Sequence, residues 1–392
     1  MHGYQRSNVQ QIILRLKQSK NVLHIIIGPR QVGKTTAARQ IEAMWDGPVV
    51  FVSADGPLPP DHTWIETHWN KAAARTNTLL VIDEIQKAAG WSEAVKVLWD
   101  EGRRLETDMT VLLLGSSSLL LQKGLTESLA GRFLLHRFDH WSYPEMKDAF
   151  GYTLDEWIYF GGYPGASQFK NDPSLWAQYI RDSLIETVLA KDVLQMQTVA
   201  KPALLRHLFM FAAAYPAQII SYNKMMGQLQ DAGNTTTLAH YLTLFESAFL
   251  LSGLELFRNT GPRKRGSSPK LILWNNALVN AVLSRPFKQA RDDHESWGRL
   301  VENAVGGFLC AGFLGTSNEL FYWRHRDREV DFVVRGPRRI YAVEVQTSRF
   351  DPPHGMEAFR KACPEALPVY VGTGGIPFDV FFGGNIMEIF QP

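Results

Sequence analysis

Nine consecutive residues, Gly28, Pro29, Arg30, Gln31, Val32, Gly33, Lys34, Thr35 and Thr36, spell the pattern G-x-x-x-x-G-K-S/T. An apolar run ending at Ile27 precedes them, and a segment with helical spacing follows. Between a strand and a helix, the two glycines let the backbone curl until its N–H groups face phosphate oxygens. The helix N-terminus adds its partial positive charge. Lys34 is then placed to reach terminal phosphates and the Thr35 hydroxyl to ligate magnesium. A glycine turn that merely opens a helix is the bland alternative, and the presence of strand, loop and helix together argues against it. ATP and Mg2+ are the expected cofactors.

A second acidic element lies about fifty residues on. The strand-like run Leu79, Leu80, Val81, Ile82 ends in Asp83 and Glu84. Phosphoryl transfer depends on positioning and charge neutralisation, so two neighbouring carboxylates can divide the work: Asp83 holds the magnesium shell and Glu84 polarises the attacking water. A third apolar strand runs into Gly115, Ser116, Ser117 and Ser118. There the hydroxyls of Ser116 and Ser117 either contact the γ-phosphate and water or cap a helix. Arg132, after Gly131, is either a surface residue or an arginine that stabilises the transition state on a neighbouring subunit's nucleotide.

The elements that must hold these residues follow from periodicity. Strands are predicted at 22–27, 48–53, 78–82, 110–114 and 133–138, with helices from Lys34, near 61–75 and over 91–104. Fully apolar strands alternating with helices imply a parallel α/β sheet covered on both faces. From about 154 to 230 the pattern is helix upon helix. Residues 222–257 add a glycine turn and a threonine-led helix over 238–249, consistent with a winged-helix unit that either reads DNA or serves as scaffold. A mixed pattern returns at Trp297, with a helix through Phe313 and strands at 320–323, 329–334 and 340–346. At 392 residues several domains are expected: 1–150, 151–221, 222–285 and 286–392.

Composition narrows the class. With 45% hydrophobic and 20% charged residues the chain is globular, and its two cysteines, Cys310 and Cys363, form neither a disulfide framework nor a zinc pattern. The N-terminal segment reads as an amphipathic helix without a secretory cleavage site, and the apolar stretches are too short to span a membrane. A cytoplasmic protein is expected. Charge is uneven: between Arg258 and Arg349 there are 16 Lys or Arg against 9 Asp or Glu. Arg263, Lys264 and Arg265, then Arg324, Arg326 and Arg328, are candidates for binding a DNA backbone, with solvated surface charge as the alternative.

The runs GPRQVGKTT, LLVIDEIQK, LLLGSSS, LAGRF and GGYPG, with GRLVENAVGGFL, FYWRHRDREVDFVV and YAVEVQTS toward the C-terminus, together resemble the prokaryotic AAA-type ATPases that carry a C-terminal domain of unknown function. The resemblance spans nearly the whole chain. It implies a P-loop ATPase module, a helical and winged-helix middle, and an endonuclease-like α/β domain similar to PD-(D/E)xK nucleases, whose acids would be Glu302, Asp331 and Glu344. Clustered carboxylates of that kind can hold magnesium against a phosphodiester. Gln346 stands where the nuclease pattern has lysine, which implies binding without efficient cutting. Two functions lead: a DNA-associated motor or remodeller working as a homo-oligomer, with a hexamer as one such assembly, and a nucleotide-dependent signalling or assembly switch. An ATP-gated nuclease is the third.

Overall fold

A computed structural model describes residues 3–391 apart from 116–127, 194–198, 200, 230–232, 260–266 and 348–353. It resolves into two compact units, Met1–Asp139 and His140–Pro392.

The first unit is built on five parallel strands: β1 (Leu23–Ile27), β2 (Val49–Ser53), β3 (Thr78–Asp83), β4 (Met109–Gly115) and β5 (Phe133–Arg137). Their order is β2-β3-β4-β1-β5. Strands β1, β3 and β4 are buried along their whole length, which is why their sequences are continuous apolar runs rather than alternating ones. Helices α1 (Ser7–Gln18), α2 (Lys34–Ala43), α3 (His62–Ala73) and α4 (Trp91–Arg104) accompany the sheet. In α4 the buried side chains Trp91, Val95, Leu98 and Trp99 recur at helical spacing and face the core. Parallel pairing brings the carboxyl ends of the strands to one edge, where open α/β sheets hold their ligands. Gly28, Asp83 and Gly115 all stand at that edge.

The second unit begins with helices, among them Leu154–Phe160, Pro202–Ala214, Tyr222–Gln228 and Thr235–Ser247. The threonine-led helix starts at Thr235 rather than 238 because Asn234 caps it, accepting from Thr237 N at 2.9 Å. Two short antiparallel strands follow, β6 (Leu251–Leu254) and β7 (Lys270–Leu273), then the helices Asn276–Leu283 and His294–Phe313. A four-stranded sheet, β8 (Glu319–His325), β9 (Arg328–Arg335), β10 (Ile340–Gln346) and β11 (Leu367–Gly372), has the order β11-β10-β9-β8. Its first three strands are antiparallel and β11 joins β10 in parallel. Val305, Leu309 and Phe313 of the long helix pack on Phe332, Val334, Val343 and Val371 of the sheet, and Ile272 of β7 enters the same core. Among the described residues no helix is long and apolar enough to cross a membrane.

Candidate nucleotide site and a buried lysine cluster

The loop between β1 and α2 is shaped by what a side chain would meet there. A Cβ on Gly28 would lie 1.9 Å from the Phe138 carbonyl oxygen, and Gly33 holds φ at +91°, a left-handed conformation that costs glycine least. Gln31 adopts φ of 59° in the same loop. The N-cap of α2 is Gly33, which has no side chain to cap the helix N-terminus. Lys34 is only 7% exposed. Its ammonium folds back on the loop, donating to Pro29 O at 2.6 Å and Gly28 O at 3.0 Å. From the first turn of α2, Thr35 Oγ1 donates to Asp83 Oδ2 at 2.7 Å. A hydroxyl and a carboxylate in contact, with a lysine beside them, are the hard oxygen donors that suit magnesium.

Glu84 follows Asp83 in a left-handed conformation, φ 53° and ψ 37°, and its N–H donates to Asp83 Oδ1 at 3.0 Å. For a residue with a side chain that conformation costs on the order of 1 kcal/mol and turns the carboxylate out of the strand line. Gln86 then holds it, donating from Nε2 to Glu84 Oε2 at 2.6 Å. The other amide atom, Gln86 Oε1, is buried without a hydrogen-bond partner among the described residues. Gln86 is one residue that motif reading passes over. Arg6 is another: it is buried, donates to Asp139 O at 3.0 Å and Val32 O at 3.4 Å, and lies over the Phe138 ring, bracing the loop from the N-terminal segment.

Arg132 sits at the opposite end of the sheet from the loop, since its carbonyl accepts from Leu23 N at the start of β1. Its guanidinium makes a bidentate pair with Asp100 of α4, both bonds at 2.9 Å. Hydrogen bonding to Arg132 holds the Asp100 carboxyl below the usual range. Within one chain it therefore does not reach the loop. Ser116 and Ser117 lie outside the described residues, as do Arg263, Lys264 and Arg265.

Residues 20–147 match the family model of an AAA domain. Residues 151–289 and 297–380 match two further models, each described as a domain of unknown function, DUF8612 and DUF4143. No curated protein matches the sequence. Among solved structures, the Walker-type ATPase PABY2304 of Pyrococcus abyssi is 13% identical, with 71% of this chain and 96% of that one covered at a TM-score of 0.48. The RuvB Holliday junction branch migration motor of Thermotoga maritima is 17% identical over 64% and 89%, at 0.35. Both are similar to this chain only at the level of a loosely superposed fold. The AAA domain is a P-loop ATPase domain by its family match, with the parallel sheet of that class.

The second unit gathers the acids expected of a nuclease-like centre around a cation that motif reading misses. Lys270, first residue of β7, is completely buried. Its Nζ lies 2.6 Å from Glu302 Oε1, 3.0 Å from Glu329 Oε1, 3.1 Å from Asp331 O and 3.7 Å from Asp331 Oδ1. Burial alone would depress this lysine, but Glu302, Asp331 and Glu329 outweigh it and hold its pKa above the ordinary value. Burial, then the charge of Glu302, raises Asp331. On β10 burial, then Asp331, raises Glu344, whose Oε2 has no hydrogen-bond partner among the described residues.

Neighbouring Asn303 explains the placement. Its side chain pairs with both backbone groups of Leu273, accepting at 3.0 Å and donating at 2.9 Å, and so fixes β7 to the long helix. Glu302 is thereby set beside Lys270. The candidate DNA contacts Arg324, Arg326 and Arg328 are exposed at the turn joining β8 and β9, and Arg324 pairs in register with Glu329.

Proposed function

We propose that the AAA domain binds ATP with magnesium and hydrolyses it. The observation that carries this reading is the 2.7 Å contact between Thr35 and Asp83, with the Lys34 ammonium parked on neutral carbonyls beside it. Entering phosphates offer that ammonium a charged partner in exchange for two carbonyls. Thr35 and Asp83 are the residues to hold magnesium, which neutralises charge on the phosphate oxygens when bound. Glu84 orients and polarises water, while Gln86 fixes the carboxylate through Nε2 and has in Oε1 an acceptor without a hydrogen-bond partner among the described residues, available to the same water.

Nucleotide binding and phosphate release by Lys34→Ala and Glu84→Gln test the assignment. Lys34→Ala is expected to lose binding. Glu84→Gln is expected to keep binding and lose turnover about a hundredfold or more, the scale of a general-base contribution. Equal loss of affinity in both removes Glu84 from its role.

The exposed arginines of the β8–β9 turn support DNA as partner of a homo-oligomer, in which Arg132 would serve a neighbouring subunit's nucleotide. The Arg132–Asp100 pair favours a second reading, an assembly switch, because the arginine is committed within its own chain until something releases it. ATP turnover with and without duplex and branched DNA separates them: stimulation supports the motor, indifference the switch.

A further inference from the structure

We infer that the ammonium of Lys270 is the resident cation of the acid cluster in the second unit, so that the place a nuclease resemblance would give to magnesium is filled from within the chain and closed to divalent metal. Glu302, Glu329 and Asp331 bring ligand atoms within 4.8 Å of one another, close enough to share an ion. That space is where the ammonium lies. Glu329 Oε1 and Asp331 O accept two of its three protons, and Glu302 Oε1 meets it as an ion-pair contact at 2.6 Å.

Two more of the cluster's oxygens are committed as well. Arg299 Nη1 donates to Glu302 Oε2 at 3.0 Å, and Val345 N donates to Asp331 Oδ2 at 2.8 Å. The face of Phe332, 5.0 Å from Nζ, closes another side of the cation. Magnesium demands oxygens at about 2.0–2.1 Å in near-octahedral array and keeps several waters. A dication among these carboxylates would sit against an ammonium already in contact with two of them, and against Arg299. The residues present therefore do not fit the metal.

This accounts for Gln346. Instead of a lysine on β10, the unit has a lysine at the head of β7, buried beneath the acids and set there by Asn303. Here the positive charge works as an internal counter-ion that ties β7, the long helix and β9 together.

The test uses the nucleotide-free full chain and Mn2+, whose free concentration is read by electron paramagnetic resonance. The parent protein is expected to show no Mn2+ binding that Asp331→Asn removes. Lys270→Met, which replaces the ammonium by a side chain of similar length, is expected to gain a Mn2+ site, seen as bound Mn2+ and as a rise in Tm on adding the metal. The double variant Lys270→Met/Asp331→Asn should lose both. Binding in the parent that Asp331→Asn abolishes, or a metal-dependent DNA nick lost in Asp331→Ala, overturns the inference. So does a folded Lys270→Met protein that binds no Mn2+. If Lys270→Met fails to fold, the parent and Asp331→Asn measurements decide alone.

Discussion

Among the described residues each unit buries one lysine, Lys34 opening α2 and Lys270 opening β7, and the two are held in opposite ways. Lys34 rests on two carbonyl oxygens, neutral partners that a phosphate can outbid. Lys270 rests on the buried carboxylate of Glu302 and the half-buried ones of Glu329 and Asp331, which would lose their counter-charge without it. The first arrangement is exchangeable and the second is locked. A buried lysine by itself thus says little about function; the formal charge of what surrounds it separates a site waiting for an anion from one already closed.

The comparison predicts different costs of removal. Lys270→Met should destabilise the second unit by about 3–5 kcal/mol, the scale for breaking a buried ion cluster from one side. Lys34→Met should cost less, about 1 kcal/mol for its hydrogen bonds to the Gly28 and Pro29 carbonyls. Urea unfolding of both variants checks this, and similar losses would erase the distinction.

A smaller effect is expected from the histidine pair behind the nucleotide loop. His24 Nδ1 and His136 Nε2 meet at 2.9 Å, and His24 Nε2 faces Ser19 O. Burial, then His24 and Arg15, pushes His136 down to about 3, and burial lowers His24. Between the unfolded value of 6.5 and that depressed value the unfolded chain binds the extra proton, so stability is complete above pH 6.5 and falls as pH drops toward 3. At pH 5 the loss is about 2 kcal/mol for His136. His136→Asn should flatten the pH dependence of unfolding of the AAA domain. An unchanged profile would show that the pair does not set it.

The smallest expected effect concerns Gln86. Gln86→Ala should lower kcat roughly tenfold, the worth of one hydrogen bond to a charged group, with nucleotide affinity unchanged. A parallel fall in affinity would show that Gln86 shapes the loop rather than positioning Glu84.

The nucleotide loop is legible in sequence because its parts are contiguous: Gly28 to Thr36 form one turn, and Asp83 and Glu84 end one apolar strand. The Lys270 cluster is not, because Lys270, Glu302, Glu329 and Asp331 come from separate elements that meet only through packing. Strand β7 follows a Gly/Pro/Ser-rich stretch that hides it from pattern reading. Strand β11 carries Pro368, which argues against a strand in the middle of a sheet and is tolerated here because β11 lies at the edge. Glu302, Asp331 and Glu344 could be picked out as acids, yet the cation that determines their chemistry sits on an element for which they give no spacing rule.

Arg6 has a consequence in mechanics. One guanidinium nitrogen spans the carbonyls of Val32 and Asp139, while Gln40 grips the carbonyl of Tyr4 two residues away. The loop and the last residue of the first unit thus hang on the same strut. If phosphate turns the Val32 peptide, the strut must either let go or shift its load to Asp139, so that an event in the cradle becomes tension at residue 139, where the chain leaves the unit.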